Sequence, residues 1–426
     1  MSSKKLLILA YAISPTRGSE YSVAWNYISE MSKDNELVVL YGASGLHMGD
    51  VEEMEKYISN TSVKNLSFIP ILPNKLTSSL NFLNSKGILT YSFYFAYYFW
   101  HKQVYEIAKK LINKENFDLI HYLNPIGYRE PGFLWKFDLP YMWGPIGGAV
   151  NLPIELLQSL SFAGKVKLLF RASVNYFQLR YKSSLRKALK RTDLLLTATT
   201  ENQKIFYKIH NKFSVYIPEN CIRVNLNVRD SKFTERGLLH FVWIGSIENR
   251  KALIILLESL ILIKNRNNFI IDIIGDGPLR RELEEFSKKN NISDCLKWHG
   301  NIPREEVINL LSGSVLNIIT SVSEGNPTTI WEAMSVGVPT MTIDHCGMHD
   351  VVCSKCGVKI PINSYSKIIR DFAIEIQGLI THPTKFKELS DGVIECSHHF
   401  KWEQRRIFFN KMYDKTIKEW QQKRSI

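Results

Sequence analysis

Glu324 and Glu332 are separated by seven residues in the segment Ser323-Glu324-Gly325-Asn326-Pro327-Thr328-Thr329-Ile330-Trp331-Glu332-Ala333-Met334. Asn326 suits an N-cap and Pro327 the first helical position, so a helix is expected to start there and to stop at Gly337 and Pro339. A helix start offers unpaired backbone N–H groups and a partial positive charge, which suit a diphosphate. Two carboxylates beside a phosphate would repel it unless they serve something else. Sugar and ribose hydroxyls are suitable, because carboxylates are strong acceptors. The plainer alternative is that Glu324 is an acid at a helix start and Glu332 a solvated helix residue.

The elements that must position these groups alternate in type. In the C-terminal half, strands are expected at His240 to Ile244, Phe269 to Ile274, Leu296 to Trp298, Val315 to Thr320 and Val338 to Ile343, with helical segments between them. In the N-terminal half, strands are expected at Lys5 to Ala10, Glu36 to Leu40, Leu66 to Ile69, Leu119 to Tyr122 and Leu194 to Ala198. Helices fit Tyr21 to Met31, Tyr97 to Asn113 and Val166 to Lys190. Such alternation predicts an α/β protein with parallel sheets covered on both faces. At 426 residues the chain needs two cores. The polar, aperiodic stretch Pro218 to Arg236 reads as the linker. The expected domains are 1–217, 218–400, and a C-terminal helix, 401–426, packing back on the first.

Fold class alone does not choose among oxidoreductases, kinases, epimerases and transferases. The motifs do. The two glutamates, within E-G-N-P-T-T-I-W-E-A-M-S-V-G-V-P, resemble the signature of glycosyltransferase family 4. Phe241-Val242-Trp243-Ile244-Gly245 followed by Arg250-Lys251-Ala252 is similar to that family's donor-phosphate loop. Gly275-Asp276-Gly277-Pro278 and Gly300-Asn301-Ile302-Pro303 fall at its usual turns. The resemblance implies a GT-B fold, two facing Rossmann-like domains with a cleft between them, and a retaining transfer from a nucleotide diphosphate sugar. It implies that Glu324 binds the donor sugar and Glu332 the ribose, with Gly245, Ser246, Gly325, Asn326, Pro327 and Thr328 lining the donor site. Ser246 stands where the family often carries Arg, so Lys251 first and Arg250 second are expected to neutralise the diphosphate.

In the N-terminal half, Gly18 in Arg17-Gly18-Ser19-Glu20 matches the family's glycine-bearing loop over donor and acceptor. His121 lies where relatives place histidines facing the donor sugar, although the second such position is Leu123. The stretches Gly127-Tyr128-Arg129-Glu130-Pro131-Gly132 and Trp143-Gly144-Pro145-Ile146-Gly147-Gly148 resemble acceptor-side loops of the branch that assembles bacterial polysaccharides. The acceptor is then a glycan or lipid-linked molecule and the donor a UDP- or GDP-linked sugar. A sugar-nucleotide epimerase on the same architecture is the alternative enzyme.

The formal charge of +13 favours anionic partners, whether nucleic acid, anionic lipid or phosphorylated substrates. No nucleic-acid recognition motif is present, which argues against the first. Residues 151–191 carry nine Lys or Arg against one acid, Glu155, among Leu, Phe and Tyr, a pattern suited to an anionic membrane surface. No run reaches the roughly 18 apolar residues of a membrane span. Leu6 to Ile13 is followed by Pro15-Thr16-Arg17, which suits a first strand better than a cleaved leader. A cytoplasmic protein, in peripheral contact with the inner face of the membrane, is expected. Gly275-Asp276-Gly277 lacks the third glycine of a dinucleotide fingerprint. Cys353 and Cys356, near His345 and His349, have zinc-like spacing, but no second C-x-x-C follows. No cofactor and no metal are expected, since no Asp-x-Asp follows a strand and cationic side chains take that role.

Overall fold

The structure, a computed structural model, describes residues 3–60, 65–89, 92–222, 228 and 237–425. Most of the expected linker lies outside the described residues. The chain divides into two compact units. The first comprises residues 1–150, 176–219 and 402–426, the second residues 151–175 and 220–401.

The first unit is built on strands β1 (Lys5–Ala10), β2 (Glu36–Tyr41), β3 (Leu66–Pro70), β4 (Leu119–Asn124), β5 (Tyr141–Ile146), β6 (Leu194–Thr197) and β7 (Ser214–Tyr216). They form one parallel sheet in the order β3-β2-β1-β4-β5-β6-β7. Residues Leu6 to Ala10 are fully buried, as a strand covered on both faces requires. Sequence periodicity misses β5, because Gly144 and Pro145 argue against a strand. The six residues are nonetheless buried, and the register shifts between Trp143 and Ile146 to accommodate the Gly-Pro pair. The segment read as an acceptor-side loop is therefore partly an internal strand.

The second unit has β8 (Leu239–Ile244), β9 (Phe269–Ile274), β10 (Leu296–Gly300), β11 (Leu316–Ile319), β12 (Thr340–Ile343) and β13 (Gly357–Ile360), in the parallel order β10-β9-β8-β11-β12-β13. Its core joins the helix Leu253–Ile261, in which Leu253, Ile255, Leu256, Leu257 and Leu260 are buried, to both sheet strands and the helix Tyr365–Thr381. Each such aliphatic contributes about 1.5–3 kcal/mol. Edge strand β13 is absent from the sequence expectation, since four residues opening on glycine give too little pattern.

Two expectations change. Residues 151–175 fall in the second unit rather than the first, because Leu156 and Leu160 pack into the core with Leu253 and Phe269. The single helix expected from Val166 to Lys190 is two, Phe162–Tyr181 and Ser183–Arg191, broken at Lys182. The Lys182 ammonium turns inward to the carbonyl of Arg129 and lies 3.3 Å from the Glu130 carboxylate. The helix Trp402–Arg424 is part of the first unit, where Asn410 accepts from Asn35 at 2.9 Å and donates to Asp34 at 2.7 Å.

Candidate active site

In the second unit the strand order reverses direction between β8 and β11. Loops leaving the C-terminal ends of two such strands splay apart, leaving the crevice where open parallel sheets bind ligands. These are the loops after Ile244 and after Ile319, and they carry the basic pair and the first glutamate.

The loop after β8 passes through Gly245 and the exposed Ser246, then makes a tight turn at Asn249–Lys251. Ala252 has a left-handed backbone (φ 46°, ψ 45°), rare for a residue with a Cβ, and redirects the chain into the helix Leu253–Ile261. Neighbouring strands hold the turn. Thr320 Oγ1 donates to the Lys251 carbonyl at 2.8 Å and accepts from the Trp243 indole at 3.0 Å, while the Val322 N–H donates to the Arg250 carbonyl at 3.0 Å. Gly275 closes the floor. Its φ of +128° and its approach to the Gly245 carbonyl leave no room for a side chain.

Lys251 Nζ lies 2.7 Å from Glu324 Oε1, and Arg250 bonds the other carboxylate oxygen. Arg250 also contacts Glu248 at 2.8 Å. Lys251 and Glu324 are 12% and 13% exposed, against 40% for Arg250, so the lysine pair is the one shielded from solvent. Burial pulls the Lys251 ammonium down to about 8, and the adjacent Arg250 acts in the same direction. Glu248 opposes this, and the contact with Glu324 likewise favours the charged form.

The helix after Glu324 spans Thr328–Ser335, with Pro327 as its N-cap. It starts one residue later than expected, and Asn326 does not cap it. The Asn326 side-chain oxygen Oδ1 instead accepts from the indole of Trp331, a buried residue whose N–H needs a partner. Gly325 and Thr328 are half-buried and Pro327 is buried around this helix start, whose first N–H groups have no intrahelical acceptor. Glu332 is 16% exposed and pairs with Arg304 at 3.1 Å. Burial raises its pKa and Arg304 opposes the rise. It is thus neither solvated nor unpaired.

Two partners escaped the sequence reading. Glu248 tethers Arg250, and Arg304 pairs with Glu332. Arg304 carries a signal in hindsight. It opens the helix Arg304–Gly313, where the helix dipole disfavours a cation, so its place there needs another reason.

In the first unit, Gly18 caps the helix Ser19–Met31 with a negative φ and open space around it, so neither strain nor packing there demands glycine. His121 does not meet its expectation. Its imidazole is fully buried, Nδ1 faces the Tyr27 hydroxyl at 3.0 Å and the Tyr413 hydroxyl at 2.9 Å, and Nε2 faces the Gly144 carbonyl at 2.7 Å. Burial lowers its pKa to about 4. With both nitrogens engaged it is a core histidine fastening the helix Trp402–Arg424 to β4. Tyr128 and Glu130, from the presumed acceptor-side loop Gly127–Gly132, are also buried.

Residues 229–373 match the model of the family described as glycosyl transferases group 1. The amylovoran biosynthesis glycosyltransferase AmsK of Erwinia amylovora is 26% identical over 137 residues, covering 30% of this chain and 33% of that protein. The match thus spans about a third of that relative. Two solved structures align over nearly the whole chain. The lipopolysaccharide outer core galactosyltransferase WaaB is 16% identical, with a TM-score of 0.64 over 96% of this chain and 99% of that one. Anabaena Alr3699/HepE in complex with UDP and glucose is 14% identical, with a TM-score of 0.62 over 97% and 100%. These likenesses establish a GT-B-like fold of two parallel α/β sheets. Residues 229–373 are thus similar to the group 1 glycosyl transferases, in agreement with the resemblance of the sequence motifs to glycosyltransferase family 4.

Proposed function

We propose that the protein transfers a hexose from a UDP- or GDP-linked donor to a glycan or lipid-linked acceptor in bacterial surface-polysaccharide assembly, with retention of anomeric configuration. The observation that carries this reading is the buried Lys251–Glu324 pair, with Arg250, between the loops of β8 and β11. AmsK belongs to amylovoran biosynthesis and HepE was solved with UDP and glucose, which agrees with a nucleotide-sugar donor.

In the free site the Glu324 carboxylate occupies the two cations. A diphosphate arriving beside the helix start at Thr328 takes them over, and Glu324 is released to accept from sugar hydroxyls. Charge then builds on the leaving diphosphate where Lys251 and Arg250 already stand, so stabilisation requires little reorganisation. Glu332 accepts from the ribose hydroxyls, and the Arg304 guanidinium opposes the rise in its pKa that burial causes. No protein base is assigned to the acceptor; the departing phosphate oxygen takes its proton.

Phe162, Val166, Phe170, Phe177 and Tyr181 are exposed on the helix Phe162–Tyr181 at near-helical spacing. With the basic residues around them they suit an anionic membrane where a lipid-linked acceptor resides. Among the described residues, no helix is long and apolar enough to cross a membrane.

A thermal-shift screen against UDP-, GDP- and ADP-sugars tests the donor reading, because a ligand of the native state raises its melting temperature. Product analysis with donor alone distinguishes transfer from epimerisation. Epimerised sugar nucleotide formed without acceptor would overturn the proposal.

A further inference from the structure

The C-x-x-C pair Cys353–Cys356 stands without a second pair in the sequence, and the nearby histidines do not join it. His349 instead bonds Asp344 at 2.7 Å. The fold supplies a third thiol from forty residues further on. Cys353 Sγ lies 3.6 Å from Cys356 Sγ and 3.5 Å from Cys396 Sγ, and the three sulfurs lie within 4.8 Å of one another. We propose that Cys353, Cys356 and Cys396 bind one thiophilic divalent cation, with Zn²⁺ as the ion their chemistry selects.

The spacing fits. Zinc bound to thiolates at about 2.3 Å in a tetrahedron sets its sulfurs about 3.8 Å apart, a few tenths of an ångström from the separations of Cys353 to its two neighbours. Thiolates also favour soft ions over Mg²⁺ or Ca²⁺. The turn prepares the ligands, since the Cys353 N–H points at Cys356 Sγ at 3.3 Å and the N–H groups of Lys355 and Cys356 point at Cys353 Sγ. Such N–H···S bonds orient sulfur ligands and stabilise their charge.

Delivery of the third thiol depends on close packing. Cys396 lies near the end of the helix Thr384–Ser397, and Gly392, one turn earlier, rests against the Lys355 carbonyl where a Cβ would clash. Ser390 anchors the same helix by donating to the Gly337 carbonyl at 2.6 Å. Outside the cluster, Lys355 and Glu395 form an ion pair at 2.7 Å. Cys356 is buried while Cys353 and Cys396 are half-buried, so solvent can deliver the ion and water can complete its coordination. Binding releases up to three protons, and the resulting trithiolate–zinc–water unit carries one negative charge beside Lys355. The ion would clip the helix Thr384–Ser397 to the turn that enters β13. It lies outside the basic-pair site and does not depend on the proposed transfer.

The test uses the full chain, reduced, stripped of metal and held without oxygen. Titration with Co²⁺ should give the intense visible absorption of a tetrahedral thiolate site, saturating at one ion per chain, and Zn²⁺ should bleach it. Cys353→Ser or Cys396→Ser should weaken binding by about a hundredfold or more, while Cys295→Ser should leave it unchanged. Should a variant misfold, the parent protein still decides, because one equivalent of Zn²⁺ should slow the reaction of the half-buried Cys353 and Cys396 with a thiol reagent. An absent cobalt spectrum, a spectrum indifferent to Cys396→Ser, or Cys353 and Cys396 reacting as fast with zinc as without it would each overturn the proposal. So would a Cys353–Cys396 disulfide in aerated protein whose reduced form takes up no metal, which would assign a redox clip instead.

Discussion

Lys251 Nζ lies 2.7 Å from Glu324 Oε1, across 73 positions of sequence and at the reversal of strand order in the second sheet. Both groups are mostly buried, so neither has solvent as an equal substitute for the other. On the proposed reading, a diphosphate would exchange places with the Glu324 carboxylate rather than fill an empty cationic pocket.

Lys251→Ala is expected to lower turnover more than donor affinity, because its charge matters most as the diphosphate leaves. Loss of one such stabilising group costs about 10²–10³ in kcat. Steady-state kinetics alongside calorimetric donor binding checks the split; equal losses in both would mark simple ground-state binding.

Donor binding should be coupled to proton uptake in a defined pH window. The Lys251 pKa is lowered from 10.5 to about 8 in the free protein, and a bound diphosphate raises it again. Below about pH 8 the lysine is already protonated and takes up nothing. Between that value and its bound-state pKa, each binding event should draw a proton from solvent, and affinity should fall as pH rises. Calorimetry in buffers of different ionisation enthalpy at pH 7 and pH 9 measures this. Identical proton counts at both would exclude Lys251 as the diphosphate partner.

Glu332→Ala should weaken nucleotide-sugar binding while leaving the fold intact. A hydrogen bond to a charged group is worth about 1.5–3 kcal/mol, which corresponds to roughly a tenfold to hundredfold rise in Kd. The Arg304 left behind is 63% exposed and can turn to water, so the melting temperature of the ligand-free protein should change little. Unchanged donor affinity would remove the ribose assignment.

Turnover should not depend on a hard divalent cation. On the proposed reading, Arg250, Lys251 and the helix start at Thr328 would take the role that Mg²⁺ or Mn²⁺ plays beside a diphosphate. Adding either ion to protein freed of both should leave the rate within about twofold, a barrier change below about 0.5 kcal/mol. Inactive protein restored by Mg²⁺ or Mn²⁺ would contradict this.

Vesicle binding should depend on lipid charge and weaken with salt, as screening over a Debye length of about 10 Å at 0.1 M requires. Lys182 is unsuitable as a probe, because it is committed to Arg129 and Glu130 within the first unit. Arg186, Lys187 and Lys190 are exposed, and each contributes up to about 1 kcal/mol near an anionic surface. Replacing these three with Glu, or Phe170 and Phe177 with Ser, should release the protein from anionic vesicles while preserving donor binding. Undiminished sedimentation of both variants would leave the helix Phe162–Tyr181 as a plain solvated face.

Strands with strong local pattern were readable. Lys5–Ala10 and Phe269–Ile274 coincide with their expected bounds, because short runs dominated by Leu and Ile mark a strand covered on both faces. The short helix after Glu324 was legible to within one residue of its start, since helix-start residues lie close together in sequence.

Partnership between distant residues was not legible. No local rule brings Arg304 to Glu332, Lys251 to Glu324, or Cys396 to Cys353; each pairing depends on which loops and helices the completed sheet sets side by side. His121 shows the opposite failure, since its position in the chain resembled a site while the fold enclosed it between Tyr27, Tyr413 and the Gly144 carbonyl. By itself, the sequence determined the alternating α/β architecture and the short helix that follows Glu324, because propensity, capping and apolar periodicity act over a few neighbouring positions. The tertiary structure alone decided which charges meet, which histidine is buried and where three thiols converge, because burial and electrostatic coupling depend on distance in space.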